Sequence, residues 1–151
     1  MKTILLPALS RLLIAPLLVF AGSLAADDRP FREFGDYRVY YSAFNSSILS
    51  PEVAAAYDIV RGPDRGLVNI AVMPAGTVGG RPAEVSGRVA NLFAQGQELK
   101  FFEVREDDAV YYLAPFRFAN EDSLTFTVTV KPMPDAPSQT LSFQRTFYRD
   151  R

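Results

Sequence analysis

The segment SLTFTVTVK at residues 123–131 has the most regular pattern in the chain. Its apolar residues alternate with threonines and fall at Leu124, Phe126, Val128 and Val130. Because successive side chains of a β-strand point to opposite faces, one face of this strand is apolar and the other is polar. The segment therefore predicts a strand that packs its apolar face on a core and exposes its threonines to solvent.

Similar runs lie on both sides of this segment, separated by turn-forming residues. After the stretch 132–137, whose three prolines lack backbone donors, a last strand turns Leu141, Phe143 and Phe147 inward. Upstream, strands are predicted at 37–44, 66–73, 84–93, 99–104 and 109–116. Residues 66–73 are apolar on both faces apart from Asn69, which predicts a strand buried on both sides. Seven strands with turns at intervals of about 8–12 residues predict an all-β, antiparallel sandwich.

A short helix is predicted after the first strand. Ser50 suits the N-cap position, Pro51 the first helical position and Glu52 the positive start of the helix. A helix of about two turns is not stable alone in water. We therefore expect it to pack on the body through Val53 and Tyr57 and to close one end of the sandwich.

The first 25 residues have the order of a secretory signal peptide. Lys2 and Arg11 precede an apolar run of 10 residues at 12–21, and small residues follow at Ser23 and Ala25. A transmembrane helix needs roughly 20 apolar residues, so this run is too short to be an anchor. We expect a signal peptide at 1–25, a β-sandwich domain at 26–151 and no membrane insertion after cleavage.

The composition argues against several kinds of chemistry. The chain has no histidine and no cysteine, so a Ser-His-Asp triad, a thiolate nucleophile and a zinc site built from these ligands are ruled out. Removing Lys2 and Arg11 from the 16 basic residues leaves 14 against 17 acidic ones. These basic residues are scattered singly, whereas nucleic-acid binding needs a cluster. The sequence therefore predicts no enzyme, no metal, no cofactor and no nucleic-acid partner.

One end of the predicted sandwich is the candidate recognition surface. With simple antiparallel connections, the helical insert, the turn at 94–97 and the loop at 115–120 gather at this end, and the loops at 74–82, 105–108 and 132–137 gather at the other. The first end combines aromatic rings with arginines, and its candidate binding residues are Tyr57, Arg61, Arg65, Arg117 and Phe118. We expect the partner to be another envelope protein or a small ligand.

Two other functions remain open from the sequence. A structural subunit of an envelope assembly predicts an exposed apolar edge strand or patch. A carboxylate-based hydrolase requires Glu103 to converge with Glu106 or Asp107, roughly 5–10 Å apart. A small sandwich with short loops has little room for such a cleft. We therefore expect a binding or accessory module that acts by recognition.

The stretch FGDYRVYYSAFNSSILSPEVAAAYDIVR at 34–61, followed by GLVNIAVM at 66–73, resembles a family of small exported proteins of gammaproteobacterial type. That family is known only as a domain of unknown function. The resemblance extends from Phe34 to Tyr148, and the segment SPEVAAAY at 50–57 is its most specific part. It implies a periplasmic, immunoglobulin-like sandwich and implies no activity, cofactor or catalytic residue.

Overall fold

A computed structural model describes residues 29–77 and 79–151, and the predicted signal peptide at 1–25 lies outside them. The described residues form nine strands, which are β1 Phe31–Phe34, β2 Tyr37–Asn45, β3 Arg65–Pro74, β4 Ala83–Asn91, β5 Gly96–Leu99, β6 Phe102–Glu106, β7 Ala109–Arg117, β8 Asp122–Pro132 and β9 Gln139–Phe147. A 3-10 turn at Ser46–Ile48 and the helix α1 at Pro51–Ala56 lie between β2 and β3. Within the described part of the chain, no helix is long and apolar enough to cross a membrane.

The strands form two antiparallel sheets that pack face to face. One sheet has five strands in the order β1-β2-β3-β7-β6, and the other has four in the order β5-β4-β8-β9. The alternation at 124–130 is confirmed, because the apolar side chains of β8 are buried while its threonines lie on the outer face. Phe126 is the centre of the core: its ring stacks on Phe143 at 4.8 Å and meets Phe116 edge-on at 5.1 Å. The predicted all-β antiparallel sandwich is therefore confirmed.

The predicted number of seven strands is wrong for two reasons. No strand was predicted before residue 37, yet β1 pairs with β2 and places Phe31 opposite Tyr40. The predicted strand at 99–104 is divided between the sheets, since β5 pairs with β4 and β6 pairs with β7. The chain changes sheets at Lys100 and Phe101. These two differences raise the count to nine and place the helix after the second strand.

The local prediction of the helix is confirmed at its start. Ser50 is the N-cap, its Oγ accepts a hydrogen bond from the backbone N–H of Val53 at 3.3 Å, and Pro51 is the first helical residue. The side chain that α1 buries is Ala54, which is 3% exposed, whereas Val53 is 43% exposed. The expectation that Val53 anchors the helix is therefore wrong.

The position predicted for the helix also needs correction, because residues 46–62, here called the insert, cross the outer face of the five-stranded sheet. The two ends of the insert lie side by side. The Ser46 hydroxyl accepts a hydrogen bond from the backbone N–H of Gly62 and donates one to the backbone oxygen of Gly62. Between these points Tyr57 reaches Glu106 at the far end of β6, where its Oη donates to Oε1 at 2.6 Å. The insert therefore forms a third layer over one sheet instead of closing one end of the sandwich.

This third layer explains why β3 is apolar on both faces. Val68, Ile70 and Val72 face the other sheet and are fully buried. On the opposite face, Leu67 is 0% exposed and Ala71 is 3% exposed. Side chains of the insert and of this outer face line a common cavity of about 170 Å³. The prediction that residues 66–73 are buried on both sides is therefore confirmed.

Candidate recognition site

Three chain segments meet at the end of the sandwich that the sequence indicated, and we call residues 61–65, 91–97 and 117–122 the arginine end. The Gln97 side chain joins two of them, because it donates to the backbone oxygen of Arg117 at 2.7 Å and accepts from the Arg117 N–H at 2.9 Å. The third segment is tied in by Phe118, whose N–H donates to the Asp64 oxygen at 3.0 Å. The arginine end is therefore held in place by backbone hydrogen bonds.

The loops at the opposite end also gather as predicted. The N–H of Gly80 donates to the Asp108 oxygen at 2.8 Å, and the N–H of Met133 donates to the Pro82 oxygen at 2.8 Å. These two contacts join the loops at 74–82, 105–108 and 132–137. These three loops therefore lie together at the opposite end of the sandwich.

Arg117 is held by an ion pair. Its Nη2 lies 2.8 Å from Oδ2 of Asp64. This hydrogen bond from the guanidinium holds the pKa of the Asp64 carboxyl below its usual value. The Asp64 carboxylate thus fixes the position of the Arg117 guanidinium.

Arg65 stands directly opposite Arg117 in the β3–β7 ladder. Arg65 is half-buried, and its guanidinium has no hydrogen bond or ion pair with a described residue. Like charges directly opposite each other in an antiparallel pair are destabilising. The two guanidinium groups therefore carry one positive charge more than Asp64 balances.

A cavity of about 250 Å³ adjoins these two arginines. Both arginines line it, together with Gln97 and Asp58. Its remaining walls are apolar and come from the insert, β6 and β7, at Ile59, Val60, Phe102, Pro115 and Phe116. The cavity therefore combines an apolar interior with cationic groups, and we call it the apolar pocket.

A second cavity of about 400 Å³ lies next to the apolar pocket and shares Gln97 and Arg117 with it. Its lining is largely polar and includes Asp64, Asn91 and Arg149. A largely polar depression thus lies beside the smaller apolar pocket. Pockets with a few placed polar groups are the usual form of binding sites.

The turn between β4 and β5 projects two apolar side chains from the arginine end. Leu92 is 74% exposed and Phe93 is 85% exposed. The turn is fixed by Asn91, whose Oδ1 accepts from the backbone N–H groups of Phe93 and Gln95 at 3.0 Å each. The Asn91 amide also donates to the Gln95 side chain at 2.9 Å. An exposed aromatic ring is thus presented on a rigid turn.

Leu92 and Phe93 were not predicted from the sequence as surface residues. It extended the strand at 84–93 through them, whereas β4 ends at Asn91. The signal that could have found them is Asn91 itself, because an asparagine side chain readily bonds to the backbone two residues further on and starts a turn.

The five residues predicted for the site have different positions. Arg65 and Arg117 come together at the apolar pocket. Arg61 is exposed at the base of the insert, where its Nη2 donates to the Ser47 oxygen at 3.2 Å. Tyr57 lies away from the arginines, and its hydrogen bond to the Glu106 carboxylate raises its pKa. The structure therefore does not group Tyr57 with the arginines.

Phe118 was predicted as a binding residue, but its ring is buried in the structure. It is 5% exposed and belongs to the core. Its ring packs against Phe147 at 5.1 Å and against Phe116 at 6.1 Å. Phe118 consequently supports the arginine end from below and offers a partner little of its own surface.

Glu103 and Glu106, two of the carboxylates considered for hydrolysis, do not face each other. Glu103 and Glu106 lie three positions apart in β6 and therefore project from opposite faces of the strand. Glu103 pairs with Arg105, and this bond together with one from Tyr112 lowers the pKa of the carboxyl. Glu106 binds Tyr57. In the described part of the chain, no three residues of the kinds that hold metals are grouped.

Fold and surface together define a small two-sheet β-sandwich protein with cationic and apolar groups at one end. The chain belongs to the family of the domain of unknown function DUF4426, whose model matches residues 31–150. The resemblance found in the sequence is therefore confirmed. A solved DUF4426 family protein from Pseudomonas aeruginosa PAO1 is 36% identical, with a TM-score of 0.72 over 80% of this chain and 95% of that chain.

Two more distant structures share the fold. FetP of uropathogenic Escherichia coli strain F11 is 10% identical, with a TM-score of 0.56 over 80% of this chain and 94% of that chain. A copper-bound variant of FetP matches at the same identity and TM-score over 79% of this chain and 94% of that chain. At this identity the likeness concerns the fold alone. No curated protein matches the chain significantly.

Proposed function

We propose that this protein is a periplasmic binding or accessory module that recognises a partner protein through the arginine end. The observation that carries the proposal is Phe93, which is 85% exposed in a turn fixed by Asn91. Aromatic residues and arginines are the side chains that dominate binding energy at protein interfaces. The arginine end supplies both kinds within one continuous surface.

Binding of a partner to this turn would be stabilised by burial of its exposed apolar side chains. Covering a side chain such as Phe93 or Leu92 contributes roughly 1.5–3 kcal/mol each through the hydrophobic effect. The turn is already ordered by the Asn91 side chain, so little conformational entropy is lost on binding. A rigid apolar tip beside charged groups is therefore suited to recognition.

The periplasmic location rests on the predicted signal peptide at 1–25. FetP has a copper-bound form. We do not extend copper binding to this chain, because the imidazole and thiolate groups that hold copper in most proteins are absent from its sequence. The separate partners of Glu103 and Glu106 favour recognition over a paired-carboxylate hydrolase.

Affinity capture from an envelope extract tests the proposal when three forms of the protein are compared. The wild type is expected to retain a discrete partner, and Phe93→Ala is expected to lose it while its melting temperature stays unchanged, because the ring contributes little to the core. Met133→Ala is the matched control, since Met133 is an exposed apolar residue at the opposite end. Equal capture by Phe93→Ala and the wild type would overturn the proposal.

A further inference from the structure

The opposed pair of arginines at the apolar pocket points to an anionic ligand. Arg65 and Arg117 stand opposite each other on neighbouring strands, and among the described residues Asp64 forms its ion pair with Arg117. Asp58 also lines the pocket but forms no ion pair with a described residue. An anion between the two guanidinium groups would turn a repulsive pair into two charge-assisted contacts. Arginine suits carboxylates in particular, because its planar fork can donate two parallel hydrogen bonds.

The size and lining of the pocket restrict the rest of the ligand. At roughly 30 Å³ for each water molecule, a volume of 250 Å³ is the space of roughly eight waters. This is less than the 300–1,000 Å³ or so of a typical small-molecule site. The walls are apolar, with Phe102, Pro115 and Phe116 on the side of the sheet. The pocket therefore suits one apolar side chain together with a carboxylate.

We propose that the apolar pocket binds the C-terminal residue of a partner polypeptide. The carboxylate lies between Arg65 and Arg117, and the apolar side chain lies among the rings and the aliphatic walls. A C-terminal residue fits because its carboxylate and its side chain are attached to the same carbon atom. The preceding residues of the partner pass over the polar depression that shares Gln97 with the pocket. This inference rests on the proposed function, because it names the part of the partner that the arginine end holds.

A pair of peptides that differ in the terminal group tests the proposal. Binding of a hexapeptide that ends in leucine with a free carboxylate is measured by fluorescence polarisation and compared with that of its C-terminal amide. Because hydrogen bonds to charged groups are the strong ones, the amide is expected to bind roughly 10- to 100-fold more weakly. Octanoate is the third probe, and it tests whether a free fatty acid is the occupant.

Variants of the protein test whether Arg65 causes the difference in affinity between the acid and the amide. Arg65→Gln is expected to weaken binding of the acid to the level of the amide and to leave binding of the amide unchanged. Arg65→Lys keeps the charge without the planar fork, so it is expected to lie between Arg65→Gln and the wild type. Arg38→Gln is the matched control, because Arg38 pairs with Glu33 away from the apolar pocket. Melting temperatures of all three variants establish that they are folded.

Three results would overturn the inference. These are equal affinity for the acid and the amide, tight binding of octanoate without binding of the peptide, and loss of binding in Arg38→Gln as in Arg65→Gln. Its failure is distinguishable from that of the proposed function. Loss of partner capture by Phe93→Ala together with equal acid and amide affinities removes the C-terminal assignment and leaves recognition at the arginine end in place.

Discussion

Replacement of Ser46 by alanine tests the closure of the insert. Ser46 is 1% exposed, its Oγ accepts from the Gly62 N–H at 3.1 Å, and its hydroxyl donates to the Gly62 oxygen at 3.3 Å. Ser46→Ala removes both bonds and leaves the N–H and the oxygen of Gly62 without this partner. An unsatisfied buried polar group costs about 1–3 kcal/mol, and the second bond is long, so the free energy of unfolding is expected to fall by about 1–3 kcal/mol in total.

Urea unfolding followed by circular dichroism measures this loss. For a domain of this size, each kcal/mol lowers the melting temperature by about 3–6 °C. Ser42→Ala is the matched control, because Ser42 is an exposed serine on β2 with no side-chain hydrogen bond to a described residue, and its effect is expected to stay within about 0.5 kcal/mol. If Ser46→Ala is as mild as Ser42→Ala, the serine does not hold the base of the insert.

Two further predictions concern the core and the ion pair at the arginine end. A Cβ atom at Gly66 would lie 2.3 Å from Cζ of Phe116, so Gly66→Ala is expected to destabilise the protein by about 1–3 kcal/mol in urea unfolding. Gly96→Ala meets chiefly the flexible end of an arginine side chain and is expected to be mild; equal effects would contradict the packing. Arg117 lowers the pKa of Asp64, so the stability from this carboxylate is present above about pH 4 and is lost as the pH falls below it. The wild type is therefore expected to have a higher melting temperature than Asp64→Asn at pH 7. This difference is expected to shrink as the pH falls below about 4, and a difference independent of pH would contradict the ion pair.

Elements with strong local signals were predictable from the sequence. The alternation at 124–130 fixes β8 because it specifies both the strand and its buried face. The start of α1 was predictable because Ser50 and Pro51 are local signals that act within one turn. The double burial of β3 was also visible, since both of its faces are apolar.

Features that depend on distant contacts were not predictable. The division at Lys100 depends on which sheet each half of the segment joins, and the partners of the two halves are β4 and β7. β1 is four residues long and has no clear alternation of polar and apolar residues. It is therefore recognised as a strand chiefly by its pairing with β2. The path of the insert depends on the apolar outer face that it covers. Leu67 and Val104 are buried on this face of the five-stranded sheet.

The candidate site was predictable in part for the same reason. The sequence located Arg65 and Arg117 at one end, because antiparallel connections alternate between the ends of a sandwich. It could not show that Phe118 turns into the core or that Tyr57 reaches Glu106, since both depend on tertiary packing. The exposure of Phe93 depends on the point at which β4 ends, and boundaries of elements are hard to read from a sequence.

Photo-cross-linking in living cells tests recognition at the arginine end most directly. A photoreactive phenylalanine analogue replaces Phe93 in one form of the protein and Asp135, which is exposed at the opposite end, in another. Irradiation is expected to give a discrete cross-linked product from position 93 and none from position 135. A product from position 135 alone, or equal products from both positions, would contradict recognition through the arginine end.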